Sequence, residues 1–452
     1  MEDLINIRDT DKCDVMVINY WFAVNYGASL TCYGVLYLLE NLGKKVKIIN
    51  YVPNFSAKLN YKDSFAQEFA QKYLHLTTPC SSYEDFIKLN DSCKTFVTGS
   101  DQVFSPKIMK SHHTHVTQSI YLLDFVKSSG KKISFAASLG DIEDNFTPED
   151  IGLFKHFLTQ FDGISVREYP AKEFINKEFN LDAVQLIDAA FYIPIDVINK
   201  MADKSSQEGE YVAYYKLPYW DFEWQDEFAQ KISRELNIPL KVFEFNQTTP
   251  VEDWLSFIKN SKFVVTNSYH AGIFAIRFNI PFVQLAGRAS QSRFESLYKI
   301  LNTPNNSCYE LNDYNPEKLF VNRNWDEINR IIDFEVTKAE NWAKNVLDCP
   351  NTDKSEYDSL NYLCVHNQLS IERLNSANKS LSAKLKKLEK QNSANKELLN
   401  ILSDKNRVIL KYYRYKILSK ISFGKSRKHY KDKYAKQKLL VKRIRKFVNS
   451  LK

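Results

Sequence analysis

Cysteine is scarce and badly placed for cross-linking. The seven cysteines (Cys13, Cys32, Cys80, Cys93, Cys308, Cys349, Cys364) are odd in number, scattered over 452 residues, and contain no C-x-x-C pair. A disulfide scaffold and a structural zinc site are therefore not expected, and a reducing compartment is. No window approaches 18 uninterrupted apolar residues, and "MEDLINIRDTDKCDVMVINYW" puts acids where a secretory leader needs a basic region. Neither a membrane span nor a signal peptide is expected, and the cytoplasm is the expected location. Acid is nearly missing from the end of the chain: residues 405–452 hold 18 Lys+Arg against 1 Asp+Glu, residues 1–404 hold 44 against 53. The formal charge of +8 thus hides an acidic body and a basic tail. Such a tail seeks phosphates, on nucleic acid and anionic membrane alike.

Hydrophobic residues make up 44% of the chain and aromatics 14%, ample for packed cores. The length exceeds what one core organises, so two domains and an appendage are expected. Strand and helix patterns alternate from the start: "DVMVINYW", then the helix "GASLTCYGVLYLLENLG", then the strand "KKVKIINY". "TFVTGSDQ", "KKISFAASLG", the helix "TPEDIGLFKHFLTQF" with Thr147 as N-cap, "GISVRE", the helix "YPAKEFINKEF" and the strand "AVQLIDAAF" continue it. This predicts one doubly wound α/β domain over 1–200. The polar stretch 199–210 reads as a linker. A second, smaller domain over 201–325 follows, with strands "YVAYYKL", "LKVFEFN", "KFVVTN" and "PFVQLAG" separated by helices. Beyond it the pattern predicts a connecting helical segment at 326–368, a helical stalk at 369–404 and the polybasic tail at 405–452. Leu374, Leu381, Leu388 and Leu402 share one heptad position and Ile371, Leu385 and Leu399 another. That fits a coiled coil able to self-associate, or a long helix packed back on the body.

Ligands of doubly wound sheets sit beyond the carboxyl ends of the strands, so the strand-to-helix turns hold the candidates. In "NYGASL", Gly27 lets the backbone approach a ligand behind Asn25, or serves packing alone. "TGSDQVFSP" offers Ser100, Asp101 and Gln102 at a strand end, for a ligand or for an Asx-type turn. Arg167 in "ISVRE" suits an anion, or a salt bridge to Glu168. His270 follows Asn267 and Ser268 in "VVTNSYHAG" and suits general acid or base work. "SHHTHV", with His112, His113 and His115, has the spacing of neither one helix face nor one strand face, so a solvated loop is expected rather than a metal site.

Taken in order, these turns resemble the polysaccharide pyruvyl transferase family: the Asn-x-Gly-Ala opening, the Gly-Ser-Asp-Gln-Val-aromatic motif, "ISVREYPAKEFI", "LIDAAFYI" and the histidine segment, over about residues 14–302. The resemblance implies a glycosyltransferase-B-like fold, two Rossmann-like domains facing across a cleft. It also implies transfer of the enolpyruvyl group of phosphoenolpyruvate onto two sugar hydroxyls as a ketal. In this family setting His270 is the acid/base candidate, and Arg167, with Arg288 and Arg293, the anion clamp. Asn25, Gly27, Ser100, Asp101, Gln102, Asn267 and Ser268 are the other substrate-binding candidates. The chain departs from the pattern at Asn267, where the family has aspartate, at Ala271, where it has glycine, and at Ala189 in place of the proline after Asp188. A carboxamide at 267 lacks the charge that could orient the histidine.

The expected donor is phosphoenolpyruvate, with no cofactor and no metal, and the acceptor a glycan or lipid-linked oligosaccharide. The tail, "KYYRYKILSKISFGKSRKHYKDKYAKQKLLVKRIRKFV", interleaves apolar and basic residues and is expected to dock on the anionic inner face of a plasma membrane ahead of nucleic acid. A nucleotide-sugar glycosyltransferase and a non-catalytic glycan-binding scaffold share the implied fold and stand as alternatives.

Overall fold

The computed structural model describes residues 11–23, 25–53, 64–111, 116–140, 142, 146–203, 209–217, 223–285, 291–389, 411, 415, 416, 429–436, 438, 441 and 442. His112, His113, His115, Arg288 and most of the basic tail lie outside these residues.

Six strands form the first sheet: β1 (Val15–Ile18), β2 (Val46–Ile48), β3 (Thr95–Asp101), β4 (Lys131–Ala137), β5 (Gly163–Val166) and β6 (Ala183–Gln185), in the order β2-β1-β3-β4-β5-β6. Five form the second: β7 (Val212–Lys216), β8 (Leu240–Glu244), β9 (Phe263–Thr266), β10 (Phe282–Leu285) and β11 (Ser307–Cys308), in the order β11-β10-β9-β7-β8. Neighbouring strands pair in parallel in both. A parallel sheet is covered on both faces, so its inner strands must be apolar throughout. β1, β4 and β9 accordingly are buried along their whole length, whereas edge strand β8 is half exposed. In each sheet the chain first moves to one side and then returns to the other. The order reverses between β1 and β3, and again between β7 and β9, the two places where a doubly wound sheet opens a crevice.

The helices follow local chemistry. Thr147 caps the helix Pro148–Leu158 in a reciprocal capping box with Asp150. Asn25 caps α1 (Tyr26–Asn41), its carboxamide oxygen accepting from the Gly27 N–H. The "AVQLIDAAF" run ends as a strand at Gln185, because the Asp188 carboxylate accepts from the Ala190 N–H and turns Ala189–Tyr192 into a 3-10 helix. Part of the linker stretch, Asn199–Ala202, completes the helix Ile195–Ala202, whose Ile198, Met201 and Ala202 are buried. Helices Phe65–Tyr73 and Tyr83–Leu89, too short for a clear sequence period, fill the long connection from β2 to β3.

After β11 the chain returns to the first sheet. Trp342, on the long helix Trp325–Asp348, packs edge-on against Phe135 of β4 at 5.4 Å, and Lys131 Nζ donates to the carbonyls of Val346 and Leu347 at 2.9 and 2.8 Å. The next helix, Asp358–Glu389, runs without a break across residue 369. Its start is fixed to the first domain: Asn361 bonds His156 Nε2 at 2.8 Å and Gln160, and Gln368 Nε2 donates to Ser119 Oγ at 2.8 Å. Ile371, expected on a stalk seam, packs on the first domain's core, as does Tyr430 of the tail. Among the described residues no helix is long and apolar enough to cross a membrane.

Candidate functional site

The two reversal points meet. Tyr26, the first residue of α1, enters an aromatic cluster of the second sheet, with ring centroids 5.3 Å from Phe245, 5.5 Å from Trp254 and 6.1 Å from Tyr215. Its hydroxyl donates to the Asn246 carbonyl at 2.8 Å. One turn along, His270 comes down from the helix Tyr269–Arg277 onto α1. The backbones approach so closely that a methyl group added at Gly27 would lie 2.2 Å from His270 Cβ and 2.4 Å from Nδ1. Glycine at 27 is therefore the seat of the imidazole. His270 Nε2 lies 3.0 Å from Thr31 Oγ1 and 3.8 Å from Asp188 Oδ2.

Arg167, at the end of β5, is 2% exposed. Its Nε donates to Glu168 Oε1 at 3.0 Å, Nη1 donates to Asp188 Oδ2 and stands 3.8 Å from Asp101 Oδ1, and buried Nη2 has no partner. A buried guanidinium nitrogen without an acceptor is costly, and a guanidinium is the side chain best shaped for a carboxylate or phosphate. Arg167 and Arg293 both lie over Tyr269, their guanidinium carbons 4.6 and 5.5 Å from its ring centre.

These charges set one another. Burial pushes the His270 imidazole below its ordinary range; Asp188 and Asp101 oppose that, while Arg167 and Arg293 add to it. Burial would raise the Asp188 carboxyl, but the charge of Arg167 and the Ala190 N–H, joined by His270 whenever that ring is protonated, hold it below the usual carboxylate range. Burial lowers Arg293, and Arg167 lowers it further. His270 therefore rests neutral near pH 7 beside an ionised Asp188.

Of the residues singled out in the sequence, Gly27, Asp101, Arg167, His270 and Arg293 converge here, with Asn25 as the cap that orients the first turn. Asp101 takes the left-handed backbone, φ 68°, just past Gly99, where a side chain would meet the Phe135 carbonyl at 2.3 Å. Gln102 follows, its N–H donating to Asp101 Oδ1 at 2.9 Å. Ser100 Oγ donates to the Ala136 carbonyl, and Ser268 Oγ accepts from the Ala271 N–H as the cap of the histidine helix. Asn267 is turned to the neighbouring strand: Oδ1 accepts from the Leu217 N–H at 2.7 Å and Nδ2 donates to Gln225 Oε1 at 3.1 Å. The acid beside the histidine is thus Asp188, from the other sheet, and the carboxamide at 267 does not remove it. Ala271 is fully buried within the helix. Thr31 and Tyr269 were not singled out; Thr31 lies four residues after Gly27, one turn up the same helix face, which is the signal that marks it. Among the described residues no group of three or more His, Cys, Asp or Glu is placed to hold a metal.

A model of the polysaccharide pyruvyl transferase family matches residues 25–287, more than half of the chain, and the chain belongs to that family. No curated protein matches it. Solved structures with similar chain paths include UGT89C1 of Arabidopsis thaliana (10% identity, 75% of this chain and 98% of that one, TM-score 0.39). UDP-N-acetylglucosamine 2-epimerase of Rickettsia bellii (10%, 75% and 97%, 0.44) and the E. coli ADP-heptose LPS heptosyltransferase II (11%, 71% and 99%, 0.36) are two others.

Proposed function

We propose that this protein transfers the enolpyruvyl group of phosphoenolpyruvate to two hydroxyls of a sugar in a cell-surface polysaccharide or its precursor, forming a ketal and releasing phosphate. Family membership supports the reaction class. The observation that carries the reading at this site is a buried imidazole backed by Asp188, beside an arginine whose Nη2 lacks a partner.

The chemistry takes up one proton and gives back two. Protonation of the donor's methylene carbon leaves an oxocarbenium-like centre at C2. One sugar hydroxyl adds there and loses its proton; the bond from C2 to the phosphate oxygen breaks; the second hydroxyl adds and loses its proton. The proton in excess leaves on phosphate, as hydrogen phosphate. In this reading Arg167 Nη2 and Arg293 hold the donor's carboxylate and phosphate. The donor's negative charge works against the burial and the arginine charges that keep His270 neutral, so the imidazole gains its proton as the donor binds, delivers it to the methylene, and then takes one from a hydroxyl. Asp101 and the α1 turn at Asn25–Gly27 orient the acceptor, with Ser100, Gln102, Asn267 and Ser268 shaping the turns that carry these groups. We infer too that the tail brings the protein to lipid-linked acceptors at an anionic membrane.

The test is phosphate release from phosphoenolpyruvate in the presence of an acceptor glycan. His270→Ala is expected to lose at least ~10²-fold in rate, the lower range for positioned proton transfer. Unchanged turnover in that variant sinks the role given to His270.

A further inference from the structure

Thr31 belongs to no motif above, yet it makes the shortest polar contact to His270. Its hydroxyl carries one proton and is committed: Oγ1 donates to the Gly27 carbonyl one turn back, at 2.8 Å. The 3.0 Å contact to His270 Nε2 then closes only if Nε2 carries a proton and donates to Oγ1. The surroundings enforce the same choice. Asp188 Oδ2 lies 3.8 Å from that nitrogen, and a lone pair there would face a carboxylate. Among the described residues, the two acceptors placed beside the ring, Thr31 Oγ1 and Asp188 Oδ2, both sit on its Nε2 side. Nδ1 lies on the other side, packed against Gly27, where an added methyl would stand 2.4 Å from it.

We propose that Thr31 is a positioning residue: it fixes the ring of His270 in the Nε2–H tautomer and leaves Nδ1 without a proton in the resting protein. The assignment rests on the acid/base role proposed for His270 and deepens it. It makes α1 of the first sheet the element that sets the chemistry of a histidine from the second. The charged groups facing the ring are Asp188 after β6, Asp101 at the end of β3, Arg167 after β5 and Arg293 on the helix Gln291–Ile300. None of them touches Nε2 at hydrogen-bond distance as Thr31 does. A serine keeps the hydroxyl, whereas a valine keeps the shape and removes it.

The experiment is nitrogen-15 NMR of histidine-labelled protein, with the His270 signals identified by their loss in His270→Gln. In the unaltered protein at neutral pH, Nε2 is expected to carry the proton and Nδ1 to show the downfield shift of a bare imine nitrogen. Thr31→Ser keeps that pattern, and Thr31→Val moves both shifts toward the average of exchanging tautomers. For turnover of phosphoenolpyruvate, Thr31→Val is expected to lower kcat about 10- to 100-fold, the size of loss seen when the outer partner of a metal-bound histidine is removed. KM for the donor should stay within about threefold and Thr31→Ser within about threefold of normal kcat. A proton on Nδ1 in the unaltered protein overturns the assignment, as does a Thr31→Val spectrum and kcat like those of Thr31→Ser. The NMR arm reads the tautomer without turnover, so failure of the pyruvyl-transfer reading would show in the activity arm alone.

Discussion

At the scale of single residues, the site depends on a hydrogen atom where other residues have a carbon. Gly27→Ala would drive a methyl into the His270 ring, so α1 and the histidine helix must part. We expect that variant to lose ~1–3 kcal/mol of stability, the usual cost of overpacking, in urea unfolding, and to lose turnover with it. The buried imidazole also makes stability depend on pH. A histidine with a folded pKa below the 6.5 of the free side chain binds fewer protons folded than unfolded. Its contribution is therefore complete above about pH 6.5 and is lost as pH falls from there through the folded value. His156, buried and lowered likewise, acts with the same sign. Urea titrations between pH 5 and 7 should show stability falling toward acid, less steeply in His270→Gln; an unchanged slope in that variant contradicts a neutral buried ring. Much of this site was legible from residue type and order, because His270, Arg167 and Gly27 stand at turns. Asp188 was visible only as part of a motif, since nothing in a linear sequence says that the end of β6 faces the end of β9. Asn267 misled for the same reason: the carboxylate it seemed to lack comes from another strand.

At the scale of elements, the sequence shows most clearly what is encoded locally. Thr147, Pro148 and Asp150 spell a helix start within four residues, and the structure has the reciprocal bonds. Thr147→Ala should cost ~1 kcal/mol in urea unfolding, as lost N-caps do, while leaving turnover of phosphoenolpyruvate unchanged. The parallel strands were legible as apolar runs between glycine and polar turns. Their pairing order was not, because it is set by crossovers that leave no local mark. The run "AVQLIDAAF" reads as one long strand, but the Asp188 carboxylate captures a backbone N–H two residues on, and the chain turns. The helix Asp358–Glu389 reads as a heptad stalk from 369, yet its buried Asn361, Cys364 and Gln368 fasten its first turns to the elements around the first sheet. Heptad spacing reports an apolar face, and a face can be covered by the chain's own body as well as by a second copy.

At the scale of the whole molecule, the two sheets share one core, in which Val15 and Val17 of the first belong to the same packed cluster as Ala213, Tyr215 and Val264 of the second. The long helix after β11 completes that core through Trp342 and returns to β4. The charge separation is on the same scale. At ~1 kcal/mol per basic residue near an anionic surface, the 405–452 tail should sediment with vesicles containing acidic lipid at low salt and leave them at high salt. Binding equal to that on neutral vesicles removes the membrane from the account, and displacement by RNA at low concentration assigns the tail to nucleic acid. The identity of the donor is read by the melting temperature measured with phosphoenolpyruvate and with a panel of nucleotide sugars. A rise with phosphoenolpyruvate that shrinks in Arg167→Lys, and none with the nucleotide sugars, is the predicted result; a rise with a nucleotide sugar and none with phosphoenolpyruvate contradicts it.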